Sequence, residues 1–315
     1  MIMTKSNRIY FTECYNDINR GECMKKLKFI YNPFSGDGTL KNRLDYLVER
    51  FQKAGYVMVP YRSSDIKTLE EAFSDIHEDY EVICISGGDG TLSSVVNIMA
   101  SMRLSLPVGI FPFGTANDFA AHLNIPRDIE TCCEIIEKGR LKKVDIGRAN
   151  DSYFLNVCSV GLLTDIPYKT ETNMKNALGK LAYYMKGIEE IPKFTPFKMR
   201  LQYGSNVIED NFLLFLILNG SSAGGFNRLA PHAKIDDGLM DVIAIKNANI
   251  TNILSIFLKI LRGEHIGDSN LYHFQTDRLN IACDGSCETD LDGERGPDLP
   301  LDIEVKKHFL KVFAP

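Results

Sequence analysis

A short apolar run, Val82–Ile85, leads directly into SGGDGTLSS, residues 86–94. Three glycines surround one carboxylate at the end of a predicted strand. Glycine at that density weakens strands and helices, because it loses more conformational freedom on folding than any other residue. Such a cost is kept where something must come close to the backbone. The residues that follow, Leu92, Val95, Val96 and Met99, recur at helical spacing. Strand, glycine turn and helix in succession constrain the chain towards a parallel sheet with crossover helices.

The pattern repeats. Residues 26–31 (KLKFIY) read as a strand, NPFSGDG as a turn, and Leu44, Leu47, Val48 and Phe51 as the stripe of a helix. Residues 56–61 read as a strand and 66–77 as a helix. PVGIFP (107–112) is a strand followed by FGTAND, and Ile129, Cys132, Cys133 and Ile136 mark another helix. In open parallel sheets such turns line the carboxyl edge, where ligands bind. Beyond residue 145 the character changes. SYFLNV, FKMRLQY, FLLFLILN and MDVIAIK are strand-like, with helix expected only near 174–188 and 250–262. The fold class is therefore an α/β domain with a parallel sheet, followed by a mostly β, sandwich-like domain. The expected division is an extension at 1–23, a first domain at 24–145, a second at 146–303, and a closing strand-like segment at 304–315 that packs back on the first.

The 315 residues suffice for two domains with real cores, and the net charge is −5. No long basic run offers a footprint for nucleic acid. No uninterrupted apolar stretch of about 18 residues is available to cross a bilayer. Residues 1–23 are polar and lack the apolar centre of a signal peptide; they read as a poorly ordered tail or as upstream sequence. The eight cysteines have no zinc-ribbon spacing. Cys132 and Cys133 read as small core residues. Cys283 and Cys287 form the only close pair, and the chain as a whole reads as reduced and intracellular.

A strand leading through glycines into a helix N-terminus is an anion site, since free N–H groups and the helix dipole favour negative charge. Asp89 conflicts with that unless a cation such as Mg²⁺ mediates between the carboxylate and a phosphate. The plainer alternative is a tight turn with a capping aspartate. NPFSG is a second candidate phosphate turn, without the Walker A pattern. In GTAND, Thr115 could bond a phosphate, and Asn117 or Asp118 could hold nucleotide or metal. Asp118 could equally cap the helix DFAAHL. Two acidic stretches, with Asp236, Asp237 and Asp241 and with Asp290, Asp292 and Glu294, lack EF-hand spacing. On pattern alone each reads as a solvated loop.

Taken in order, NPFSG, SGGDGTLSSVVN, FPFGTANDFA, KVDIGR, DDGLMD and LDGE resemble the diacylglycerol kinase catalytic family, which includes soluble bacterial lipid kinases and sphingosine kinases. The resemblance runs from about Met24 to the C-terminus. AYYMKG (182–187) and RGEH (262–265) bring it nearest to soluble kinases of Gram-positive bacteria. It implies an ATP-dependent lipid kinase, with diacylglycerol as the first candidate substrate and Mg²⁺ as cofactor. It implies nucleotide contacts from Asn32, Pro33, Phe34, Ser35, Gly36, Ser63, Gly87, Gly88, Asp89, Gly90, Thr91, Leu92, Ser93 and Thr115. Asp89, Asp118 and Asp145 would form an aspartate–water–Mg²⁺ network, and Glu294 would be the general base. Asp237, with the carbonyls of Lys234 and Leu239, would hold a structural Mg²⁺. Lys186 would lie in the lipid or phosphate region. A cytoplasmic enzyme acting peripherally at the inner membrane face, and a homodimer, are further implications.

One residue departs from the family pattern: Asp37 stands where relatives often have a base, with Lys41 a nearby substitute. The alternatives are a kinase for a sphingoid base, a polyprenol or another glycerolipid, an NAD kinase sharing GGDGT, and a nucleotide-binding regulator without catalysis. Intact Asp89, Asp118 and Glu294 speak against the last.

Overall fold

The computed structural model describes residues 25–35, 38, 40–63, 66–161, 196–224, 226, 228–285 and 287–315. Strands β1 (Lys25–Tyr31), β2 (Tyr56–Arg62), β3 (Tyr80–Gly87) and β4 (Val108–Pro112) run parallel in the order β2-β1-β3-β4. β3 and β4 are buried almost throughout, as parallel strands covered on both faces must be. Pro60 sits in β2, at the end of this order, where a missing N–H is tolerated. Helices α1 (Leu44–Lys53), α2 (Asp89–Ser101), α3 (Asp118–His122) and α4 (Ile129–Lys138) bring their apolar stripes to this sheet. The helix expected at 66–77 is instead a 3₁₀ segment, Ile66–Phe73. Just beyond it Ser74 donates back to the Glu71 carbonyl. Cys132 and Cys133 are core residues, as their spacing suggested.

The rest is antiparallel, save for one parallel pairing of its last strand with β4. It comprises β5 (Leu141–Ala149), β6 (Ser152–Phe154), β7 (Val157–Gly161), β8 (Phe197–Tyr203), β9 (Asn206–Leu218) and β10 (Met240–Lys246). β11 (Leu271–Thr276), β12 (Arg278–Cys283), β13 (Thr289–Leu291), β14 (Glu294–Arg295) and β15 (Leu301–Phe313) complete it. One described helix, α5 (Ile250–Arg262), covers part of it. The expected helix near 174–188 lies outside the described residues. The architecture is a parallel α/β layer joined to a β-sandwich-like domain. β15 joins them: it pairs with β12 and β5 along its length and meets β4 at Val312–Val108. The Cys283 and Cys287 sulfurs face each other across a short turn.

Asp145 explains how the join is held. It is fully buried in β5, opposite a break in the β5–β15 register between Lys306 and Leu310. His308 there adopts a left-handed φ of 53°. One Asp145 carboxylate oxygen accepts the His308 N–H at 2.6 Å; the other accepts the Gly238 N–H at 2.6 Å. A single carboxylate thus fastens the DDG turn and the β15 bulge to β5. Asp145→Ala takes the shared acceptor from both N–H groups and should lower the unfolding free energy by about 2 kcal/mol. Urea denaturation checks this, and an unchanged midpoint would contradict it.

Candidate active site

The four parallel strands end together, and each is followed by an expected ligand turn. After β1, Asn32 donates its N–H to the Ser86 carbonyl of β3, and its Oδ1 accepts the Phe34 N–H at 2.9 Å. Pro33 is buried and Ser35 half-buried, while Phe34 is 74% exposed. The Arg62 guanidinium lies 5.5 Å from the Phe34 ring centroid. Gly36 lies outside the described residues. After β2, buried Ser63 donates its N–H to the Tyr31 carbonyl. After β3 come Gly87, Gly88 and α2; after β4 comes the 113–117 loop with exposed Thr115.

The glycines answer first to each other. A Cβ on Gly114 would overlap the Cα of Gly88, and one on Gly88 would lie 3.1 Å from the Gly114 Cα. The two loops cross backbone to backbone. Gly87 is tight as well, since a Cβ would meet Thr91 at 2.7 Å, whereas Gly90 has nothing within 4 Å. Asn117, left-handed at φ 58°, closes its loop by accepting the Gly114 N–H and donating to the Gly114 carbonyl. Its side chain is spent there. Asp89 accepts the N–H groups of Asp118 and Phe119, both at 3.2 Å. It therefore caps α3 from the first turn of α2 and stands beside the buried Asp118. A small cleft lined by Gly87, Gly88, Asp89, Leu92, Pro112 and Asn117 opens at this crossing. A larger groove of about 350 Å³ lies among Asn150, Arg200, Gln202 and Asn280 and shares none of these residues.

Two expected contacts have other duties. Leu92 is buried in the core, and its N–H is taken by the Gly88 carbonyl. The Ser93 hydroxyl donates at 2.9 Å to Asp292, 199 residues away. Asp292 is the residue that sequence reasoning misjudged as solvated. Its carboxylate also accepts the N–H groups of Leu155 (2.6 Å), Asn156 (2.8 Å) and Val157 (3.0 Å). Its own N–H goes to the Val157 carbonyl, and its φ is 53°. Burial pushes its carboxyl up, while these donors pull it back. The turn of LDGE is thereby tied to α2 and to the link between β6 and β7. The only signal for this in the sequence was the LDG triplet itself, because the partners are remote.

Glu294 follows two residues later, exposed on β14 opposite Leu291. Asp290 is half-buried and accepts the Gly293 N–H at 2.9 Å. Burial pushes its carboxyl up to about 6; the Gly293 donor opposes this, and the charges of Asp292 and Glu294 add to it. In the other acidic stretch Asp236 pairs with Lys142, and buried Asp241 is held by His273 and Gln275. Asp241 and the 290–292 turn are thus drawn into the fold, whereas Asp236 and Asp237 stay on a half-exposed loop. Asp237 accepts the Leu239 N–H at 3.0 Å, and the Lys307 ammonium approaches the Asp237 carbonyl at 3.5 Å. Among the described residues no three carboxylate, imidazole or thiol groups converge as a metal centre. Lys186 lies outside the described residues.

Residues 26–149 match the diacylglycerol kinase catalytic domain, and 158–314 match the YegS C-terminal NAD kinase beta sandwich-like domain. Diacylglycerol kinases of Staphylococcus aureus strains JH9 and Newman are each 36% identical over 293 residues, covering 92% of this chain and 93% of theirs. A crystal structure of a diacylglycerol kinase from Bacillus anthracis superposes with a TM-score of 0.74 at 27% identity, covering 92% of this chain and 97% of that one.

The crossing makes the glycines separable. Gly114→Ala should cost about 2 kcal/mol or more in stability, seen as a lower denaturant midpoint. Gly90→Ala should fold at least as stably but bind ATP more weakly if a phosphate comes to that open face; equal loss of stability in both would contradict this reading. Asp290 allows a pH test. Its folded carboxyl sits above the unfolded value of about 3.9, so the fold favours the protonated form. That contribution is present below about pH 4 and lost as pH rises to about 6. Asp290→Asn should therefore be neutral at pH 4 and stabilising by about 1 kcal/mol at pH 8, a partly screened value. Melting curves at the two pH values decide it.

Proposed function

This chain belongs to the diacylglycerol kinase family and is an enzyme of that type, and we propose that it transfers the γ-phosphate of ATP to the hydroxyl of diacylglycerol. The products are phosphatidic acid and ADP. The observation that carries the reading is Asp292. By bonding Ser93 of α2 and the 155–157 backbone, it holds the turn that bears Glu294 to the helix that follows GGDG.

In this reading the phosphates lie against the first-turn N–H groups of α2, which have no intrahelical partner. Phe34, exposed and backed by Arg62, offers a face on which an adenine can stack. Asp89, which meets the first N–H groups of α3, and Asp118, which opens that helix, would be the hard-oxygen donors to Mg²⁺. The bound ion would offset charge on the phosphate oxygens. Asp145 acts on this network by fixing the turn at Gly238. The oxygen-rich turn at Lys234, Asp237 and Leu239 fits a structural Mg²⁺. Glu294 accepts the lipid hydroxyl proton as that oxygen bonds to the γ-phosphorus and the bond to the ADP oxygen breaks. Lys186 stays assigned to the lipid region on the resemblance alone. The enzyme meets its substrate at the cytoplasmic membrane surface without spanning it, and among the described residues no helix is long and apolar enough to cross.

Transfer of labelled phosphate from ATP to diacylglycerol in mixed micelles tests this. Wild type should be active, and Glu294→Gln should lose about 100-fold or more in kcat with ATP binding kept. Full activity in Glu294→Gln would remove the assigned base. Activity only on another lipid alcohol would replace the substrate.

A further inference from the structure

We infer that Asn156 and Asn219 are positioning residues of the phosphate site, their side-chain oxygens accepting both O–H groups of one water bound to its Mg²⁺. The inference rests on the metal part of the kinase reading and adds two residues to it. Asn156 precedes β7 and Asn219 follows β9. Val157 pairs with Leu218 in that antiparallel ladder, and the Asn219 N–H donates to the Asn156 carbonyl at 2.9 Å. The two asparagines therefore stand directly opposite on one face, with Cβ atoms ~5 Å apart. Both are buried, Asn219 at 0% exposure and Asn156 at 4%. The Asn219 Nδ2 donates to the carbonyls of Asp145 (2.8 Å) and Leu155 (2.9 Å), which fixes the carboxamide and turns Oδ1 the other way. Among the described residues, neither Asn219 Oδ1 nor Asn156 Oδ1 has a donor. A buried acceptor without a donor is costly, and such a group ordinarily meets a water or an ion.

Their surroundings point to the metal. The Asn156 N–H is one of the donors to Asp292. Asn219 holds the carbonyl of Asp145. Gly220, the next residue, packs on the ring of His122: a Cβ there would lie 2.3 Å from Nε2, and the Ser222 hydroxyl is 3.3 Å from the same nitrogen. His122 ends α3, whose first residue is Asp118 and whose first N–H groups meet Asp89. The elements that carry Asp118, Asp145 and Asp292 thus all meet at 156 and 219–222, with Asp89 one contact further. Mg²⁺ dehydrates reluctantly and keeps several waters. Each such water has two O–H groups polarised by the ion, and two unpartnered carboxamide oxygens on one face match that number. Partners of this kind orient the groups around a metal from behind. A water independent of the ion could fill the same place, and metal affinity separates the two.

The test is Mn²⁺ binding to the whole protein with a non-hydrolysable ATP analogue, the free ion being read by electron paramagnetic resonance. Asn156→Leu keeps the size and the backbone bonds of residue 156 and removes the carboxamide whose oxygen has no partner. Its urea midpoint without metal should equal or exceed the native one, since an unpartnered acceptor is lost. Its Mn²⁺ affinity should fall about tenfold or more, and Asn156→Ala, which cannot overpack, should show the same loss. Asn156→Asp keeps an acceptor in place and should bind Mn²⁺ within about threefold of native. In turnover, Asn156→Leu should need about tenfold more Mg²⁺ for half-maximal phosphate transfer, with the KM for lipid changed by less than about twofold. Native Mn²⁺ affinity in Asn156→Leu overturns the inference, gives the two oxygens an ordinary structural water, and leaves the kinase reading standing. Equal loss in Asn156→Leu and Asn156→Asp overturns it as well. Native protein that binds no Mn²⁺ with the analogue overturns both the inference and the metal part of the reading. Absence of phosphate transfer to any lipid, with Mn²⁺ bound as expected, fails the kinase reading alone.

Discussion

The candidate site depends on one buried-type interaction: the carboxylate of Asp292 with four donors drawn from two parts of the chain. Ser93 belongs to the helix that opens the glycine turn, and residues 155–157 belong to the start of the β-rich half. A charge removed from water is costly unless its hydrogen bonds are supplied by the protein. Here they are supplied in a way that requires the two halves to be in register. The left-handed φ of Asp292 turns the chain sharply enough for Glu294 to follow on β14. Asp145 works in parallel, fastening the DDG turn and the β15 bulge. Two carboxylates thus act as rivets, one on each side of the junction.

The glycine turn has two functions at once. Gly88 and Gly114 are small because two loops must cross, and that crossing puts Asp89 against the first N–H groups of α3. Gly90 has no such neighbour within 4 Å. The demands of packing therefore fall on some glycines of the motif and not on others. The aspartate is a cap and a candidate metal ligand together, so the two sequence-level alternatives for it are compatible.

Much of the first half was legible because its determinants are local. Apolar runs such as Val82–Ile85 specify strands, the stripe from Leu92 to Met99 specifies a helix, and glycine and aspartate mark the turns between them. The second half was legible only as strand-rich. Asp292 read as solvated because its donors lie 135 to 199 residues away. Asp145 carries no local sign that it would face Gly238 and His308. Ser93 and Leu92, read with the nucleotide loop, turn inward because α2 must pack on the sheet and on LDGE. The 3₁₀ form of Ile66–Phe73 was likewise hidden, since both helix types share the apolar spacing.

If Asp292 is what sets the catalytic carboxylate against the phosphate site, its substitution must separate binding from turnover. The direct measurement is kcat for lipid phosphorylation beside the ATP dissociation constant, for native protein and Asp292→Asn. The account predicts a fall in kcat of about 100-fold or more with ATP affinity changed by less than about threefold. An Asp292→Asn enzyme with native kcat would contradict it.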